Sequence, residues 1–242
     1  MQDGLYVALS SQVALERRLT TIADNVANSG TVGFRATGIR FEDVLSGSGA
    51  NSVSFTSSGA TYMSTQNGAL RETGNPFDFA VQGDAWFGIE TPGGTVMTRD
   101  GRFTMLDTGQ LVTIEGYGVL DPGGAPIQLD PANGAPESGA DGVLRQNGQL
   151  VASIGLYDFD PGANFQRYGN SGVIPASPPE AVVDRNDIGV AQGFLEDSNV
   201  NPVQEMTRLI MVQRAFENIS AAMRSTERTF GEAIKTLGSK SG

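Results

Sequence analysis

The sequence predicts a mixed fold: a Gly-rich, all-β central domain flanked by N- and C-terminal α-helices that pair as a coiled coil. Three observations carry this expectation. An apolar seven-residue repeat lies near the C-terminus, a second amphipathic stretch lies near the N-terminus, and short apolar runs broken by Gly-rich turns fill the space between. The pattern lays out an N-terminal helix over 1–30, an extended arm over 31–75, a central β-domain over 76–190, and a turn followed by a coiled-coil helix over 191–242.

In the C-terminal repeat, Leu209, Phe216, Met223, Phe230 and Leu237 recur every seven residues, with Val212, Ile219, Thr226 and Ala233 between them. A sustained heptad of this kind predicts a left-handed seam against another helix. Each seam side chain contributes roughly 1.5–3 kcal/mol on full burial, whereas ordering the backbone costs about 1–2 kcal/mol for every residue. A heptad orders seven residues for two seam side chains, so this helix needs contacts beyond its own seam. Ile210 and Met211 lie off the seam, and Ala215, Ser220, Ala221, Ala222 and Gly231 offer smooth faces where another backbone can approach. Completion by other chains is therefore expected. The helix start is well marked: Asn201 can cap the first free amides, Pro202 fits the first helical position and Gln204 the third, a close variant of the capping box.

At the other end, residues 4–27 place Leu5, Leu9 and Val13 on one stripe and Leu15, Leu19, Ile22 and Val26 on a second, with one shift near Val13. The helix is expected to end at Asn28-Ser29-Gly30, with Gly30 as a left-handed cap. The arm that follows is broken by glycines, with a short helix expected over 40–45 and with Phe34, Phe41 and Phe55 as docking points. The central pattern then reads as strands over 77–81, 86–90, 95–98, 102–106, 111–114, 126–129, 142–145 and 150–159, with turns at Pro92-Gly93-Gly94, 107–109 and Gln146-Asn147-Gly148. A sandwich or barrel is the expected architecture.

Composition narrows the function. The chain of 242 residues has no Cys and no His, which removes thiol nucleophiles, disulfides, Cys/His zinc sites and imidazole acid-base chemistry. A formal net charge of -11 argues against nucleic acid and anionic membranes as partners, because both need clustered Lys and Arg. An ordinary secretory signal and an apolar run long enough to span a bilayer are both absent from the pattern. Carboxylates are the acid-base groups that remain, and Asp158/Asp160, Asp184/Asp187 and Glu196/Asp197 are the closest clusters. Their Gly- and Pro-rich surroundings favour solvated turns over a glycosidase pair. The stretch from Asp184 to Gly189 fails as a calcium loop, since Ile188 stands at the fifth ligand position and Leu195 at the twelfth. No cofactor, metal or small-molecule substrate is expected.

The stretch Ala23-Asp24-Asn25-Val26-Ala27-Asn28-Ser29-Gly30-Thr31-Val32-Gly33-Phe34-Arg35 resembles the N-terminal signature of flagellar rod and hook proteins, with Asp24 in place of the usual first Asn. Phe77-Asp78-Phe79-Ala80-Val81-Gln82-Gly83-Asp84-Ala85-Trp86-Phe87, Thr98-Arg99-Asp100-Gly101-Arg102-Phe103 and Gly193-Phe194-Leu195-Glu196-Asp197-Ser198-Asn199-Val200-Asn201-Pro202-Val203 are similar to later parts of the same family, in the same order. Length and the lack of large inserted domains favour a rod subunit, proximal or distal, over a hook protein.

The resemblance implies a structural subunit whose terminal helices pack against neighbouring subunits, forming the inner wall of a hollow rod through the periplasm. It further implies flagellar type III export without a cleaved signal. Implied partners are other rod proteins, further copies of the chain and the export apparatus. The seam residues Leu209, Val212, Phe216, Ile219, Met223 and Phe230, with Leu15, Leu19 and Ile22, are expected to mediate helix packing. Asn25, Asn28, Thr31, Gly33 and Phe34 are expected to fix the exit from the first helix, and Asn201 and Pro202 the entry to the last. Gly83, Trp86 and Phe103 are expected to stabilise the β-domain. A glycan-binding or adhesive β-domain and a carboxylate hydrolase are the alternatives of other classes.

Overall fold

The structure is a computed structural model that describes residues 2–46, 53–57, 59–163, 165–183, 185 and 187–238. It divides into two compact units. The first comprises Met1–Val26, Gly38–Thr61 and Asn201–Gly242, and the second Ala27–Thr37 and Tyr62–Val200. The stretch 31–75 thus contributes to both.

Two long helices dominate the first unit: α1 (Gln2–Ala27) and α2 (Pro202–Gly238). The cap of α2 forms as its sequence requires, with Asn201 Oδ1 accepting from the Gln204 amide at 3.1 Å and the Asn201 carbonyl accepting from the Glu205 amide at 3.0 Å. Along α2 the heptad stripe is the sheltered one. Val212 is buried and Leu209, Phe216, Ile219 and Met223 are half-buried, whereas the off-stripe Ile210 and Met211 are more than half exposed. The shelter ends there, since Thr226 is exposed, and the Phe230 side chain lies outside the described ones. In α1 the second stripe is the covered one: Ile22 is buried and Leu15, Leu19 and Val26 are half-buried, while Leu9 and Val13 stand out in solvent. Gln12 Nε2 donates to Ser220 Oγ at 3.4 Å, a polar link between the two helices.

The same unit holds a hairpin, Asp43–Ser46 with Val53–Thr56, paired antiparallel from Asp43↔Thr56 to Ser46↔Val53. The short helix expected over 40–45 is therefore absent: Arg40 ends the strand Thr37–Arg40, and residues 43–45 belong to the hairpin. A single helical turn does not offset the cost of its own nucleation, while pairing satisfies the ladder groups between the two strands. Gly231, expected to allow close packing, has open space where a side chain would begin, with no described atom within 4 Å.

The second unit is built on a nine-stranded sheet. Its central strand Trp86–Thr91 pairs with Gly94–Thr98 through the tight turn at Pro92-Gly93, where Thr91 Oγ1 donates to the Gly94 carbonyl at 2.7 Å. The opposite edge of this strand is shared, with Leu156–Asp158 pairing at Trp86 and Phe87 and Gly118–Val119 pairing at Ile89 and Glu90. Leu111–Thr113 and Phe103–Met105 extend the sheet on that side, and Gly172–Ile174 and Gln166–Tyr168 extend it beyond Gly94–Thr98. Phe79, Phe87, Phe103, Leu111, Ile127, Leu144 and Ile154 form the main core, with the Phe87 and Phe103 rings edge-to-face at 5.2 Å.

The long strand expected over 150–159 is instead two, Gln149–Ser153 and Leu156–Asp158, separated by Ile154-Gly155. A Cβ on Gly155 would lie 2.6 Å from the Asp121 backbone, and the Gly155 amide donates to the Leu120 carbonyl at 2.8 Å. The chain changes sheets at that close approach. The strand expected over 126–129 is reduced to isolated bridges at Pro126 and Gln128, because the proline ring removes a ladder donor.

Candidate assembly junction

The exit from α1 is a pair of overlapping turns. The Thr31 amide donates to the Asn28 carbonyl at 3.1 Å, Thr31 Oγ1 donates to Asn28 Oδ1 at 3.1 Å, and the Phe34 amide donates to the Thr31 carbonyl at 3.3 Å. The left-handed residue is Gly33, at φ +68°, and not Gly30. Proximity as well as conformation requires glycine there, for a Cβ on Gly33 would sit 2.4 Å from the Arg99 carbonyl carbon and from the Asp100 nitrogen.

Beyond Gly33 the outgoing chain lies against the returning one. The Gly33 amide donates to the Glu196 carbonyl at 2.8 Å, the Asn199 amide donates to the Phe34 carbonyl at 3.3 Å, and Asn199 Oδ1 accepts from the Ala36 amide at 2.7 Å. On its other side the strand Phe194–Glu196 pairs with Leu70–Glu72. Gly68 is required at the end of this pairing, since a Cβ there would overlap the Asp197 carbonyl oxygen at 1.8 Å. Phe34 is 2 % exposed and carries the Arg167 guanidinium over its ring at 4.3 Å.

At the centre of this junction is a buried charge cluster. Glu196 accepts from Arg35 through Oε1 at 3.0 Å and faces Arg99 through Oε2 at 3.3 Å, and all three side chains are at most 3 % exposed. Asn67 Oδ1 accepts from Nη2 of both arginines, the Gly83 carbonyl accepts from Arg99, the Gln66 carbonyl accepts from Arg35, and the Gly68 amide donates to Glu196 Oε1 at 2.9 Å. Trp86 lies alongside, its ring 5.8 Å from the Arg35 guanidinium and 5.7 Å from that of Arg99, with Phe159 edge-on at 5.1 Å. Burial pushes the Arg99 guanidinium down to about 10, opposed by Glu196, and lowers Arg35 for the same reason. Both remain cationic at neutral pH.

These contacts bring together residues that the sequence holds far apart: Thr31 to Arg35, Trp86 and Arg99, and Glu196 to Asn199. Of the expected site residues, Asn28, Thr31, Gly33 and Phe34 belong to the junction. Leu15, Leu19, Ile22 and the buried Asn25 lie on α1, Asn201 and Pro202 open α2, and Leu209, Val212, Phe216, Ile219 and Met223 follow along it. The ionic centre itself carried no expectation. A charged residue inside an apolar run, as in Val96-Met97-Thr98-Arg99 or Phe194-Leu195-Glu196, was the available signal. The carboxylate clusters prove to be occupied: Arg185 pairs with Asp158 at 3.4 Å and with Asp187 at 2.6 Å, and Asp197 pairs with Arg71 at 3.1 Å. Asp184 lies outside the described residues. No group of acidic residues among the described ones is arranged to hold a metal ion, and no described helix is long and apolar enough to cross a membrane.

Three family models match in order along the chain: Flagella basal body rod protein over residues 5–35, Flagellar hook protein FlgE/F/G D1 domain over 80–145, and Flagellar basal body rod FlgEFG protein C-terminal over 191–236. Each contributes residues to the junction or to a terminal helix, and together they define the class as a flagellar axial protein. Among curated relatives, the flagellar basal-body rod protein FlgF of Mesorhizobium japonicum is 73 % identical over 241 residues, covering 100 % of both chains. FlgF of Rhizobium meliloti is 59 % identical, covering 98 % of this chain and 99 % of its own, and FlgF of Caulobacter vibrioides is 36 % identical, covering 98 % and 99 %. The chain belongs to the FlgF family of flagellar basal-body rod proteins, as a structural subunit of that rod.

Proposed function

We propose that the chain polymerises through its terminal helices, paired as a coiled coil, into the hollow axial shaft of the flagellum. It transmits torque and catalyses no reaction. In this reading the shaft crosses the periplasm, the subunit arrives through type III export without a cleaved signal, and its partners are other rod proteins and copies of itself. It takes no nucleic acid, no cofactor and no place in a lipid bilayer. The buried Arg35–Glu196–Arg99 cluster ties the segment that follows the first helix to the segment that precedes the last.

The observation that carries this reading is the surface of α2. Besides its half-sheltered heptad stripe, it exposes Val203 at 73 %, Met206 and Ile210 at 52 % and Met211 at 57 %. Large apolar side chains clustered on one exposed helix mark a surface that another protein covers. The test is amide hydrogen exchange on the dilute full-length monomer and on assembled rods. Residues 1–35 and 200–242 should exchange freely in the monomer while the β-rich unit is protected, and should become protected on assembly. Protection of both helices in a confirmed monomer, unchanged on assembly, refutes the reading.

A further inference from the structure

Beside the turn at Thr31, which with Asp100 lines it, the sheet of the second unit carries a cleft of about 370 Å³ at its Gln166–Tyr168 end. We propose that this cleft binds an uncharged sugar ring, a function separate from rod assembly. Its walls are Tyr117 and Tyr168, whose rings meet edge-to-face with centroids 5.8 Å apart and whose hydroxyls are 3.0 Å apart. The edge-to-face arrangement leaves ring faces and edges for the C–H surface of a pyranose. The volume lies at the small end of the range for ligand pockets, which suits one or two sugar rings.

The polar groups select the chemistry. Tyr168 donates its proton to the Tyr117 oxygen, so the Tyr117 hydroxyl keeps its own proton for a ligand. Glu115 supplies a carboxylate acceptor and Asn170 both a donor and an acceptor. Neither side chain makes a hydrogen bond to a described residue. Arg102 is held by Asp100, through Nε at 2.9 Å and through Nη2. Its charge is thereby cancelled, and Glu115 leaves the cleft net negative. A phosphate or carboxylate ligand would meet that charge. An apolar ligand would strand the exposed Glu115 carboxylate and the amide of Asn170, each a loss of hydrogen bonding to water. A neutral polyol matches both conditions, because its hydroxyls can donate to Glu115 and accept from Tyr117 and Asn170.

Saturation-transfer NMR and titration of the full-length chain with chitotriose and with cellotriose test the proposal, with inorganic phosphate as the charged control. A neutral trisaccharide should bind with a Kd on the order of 1 mM, phosphate should not, and Tyr117→Ala and Glu115→Gln should each weaken binding about tenfold. Tyr168→Phe keeps the ring and loses the hydroxyl bond, so it should retain the fold and weaken binding less than Tyr117→Ala. Absence of transfer to either sugar overturns the proposal, as does equal transfer in wild type and in a folded Glu115→Gln chain. Perturbation of the Tyr117 and Tyr168 signals by added chain and not by sugar would make the cleft a protein contact, and also overturns it. None of these results bears on rod assembly.

Discussion

Replacing Glu196 by glutamine removes one charge and leaves the shape of the side chain almost unchanged. The loss falls on two cations at once, Arg35 at 3.0 Å and Arg99 at 3.3 Å, which water cannot reach to compensate. A pair of unit charges about 4 Å apart interacts with roughly 4 kcal/mol at an effective dielectric near 20, and removing one partner of a buried pair costs about 3–5 kcal/mol. The Gly68 amide and the Arg35 fork can still bond to the amide oxygen of the replacement, which keeps the loss at the lower part of that range. For a unit of this size, each kcal/mol shifts Tm by about 2–4 °C, so a fall of about 6–12 °C is expected. Trp86 is the one tryptophan of the chain and lies beside both guanidiniums, so its fluorescence during urea unfolding reports the cluster directly. The neighbouring Asp197→Asn variant is the internal control. Asp197 and its partner Arg71 are about half exposed, and an exposed pair contributes at most about 1 kcal/mol. If Glu196→Gln costs no more than Asp197→Asn, the buried cluster does not hold the junction and the reasoning fails.

Gly33→Ala should destabilise the β-rich unit by at least about 2 kcal/mol, since an L residue at φ +68° costs about 1–2 kcal/mol before its Cβ meets the Arg99 backbone at 2.4 Å; a urea midpoint within error of wild type would contradict it. Trp86→Ala should cost about 2 kcal/mol, less than the 3–5 of a fully buried aromatic because Trp86 is only partly buried; calorimetry showing unchanged stability would remove the ring from the support of the two arginines. Phe216→Asp should leave urea unfolding of the β-rich unit unchanged, because Phe216 lies in the other unit, while abolishing incorporation into rods; rods of normal length carrying the variant would exclude the α2 stripe from assembly.

The two helices and the hairpins with Gly at their turns were legible from the sequence, because period and capping are local properties. A heptad in α2, an Asn201-Pro202 start and a turn at Pro92-Gly93 each specify their geometry within a few residues. The apolar stripes on α1 and α2 could be named in the same way. What period could not reveal is where strands end. Leu150 to Phe159 is continuous in pattern, and only the approach of the Asp121 backbone to Gly155 divides it.

The charge cluster marks the clearest limit. Nothing in the spacing of residues 35, 99 and 196 links them, and an apolar run around Arg99 or Glu196 signals burial without naming a partner. Burial changes their meaning, because a guanidinium withdrawn from water needs a counter-charge at the same point, and only the folded chain supplies one. The sequence by itself determined two terminal helices with apolar stripes, a β-rich middle and the absence of Cys and His chemistry. Tertiary structure decided that the exit from the first helix and the approach to the last are held side by side, since hydrogen bonds and ion pairs between distant residues exist only once the chain has brought them within reach.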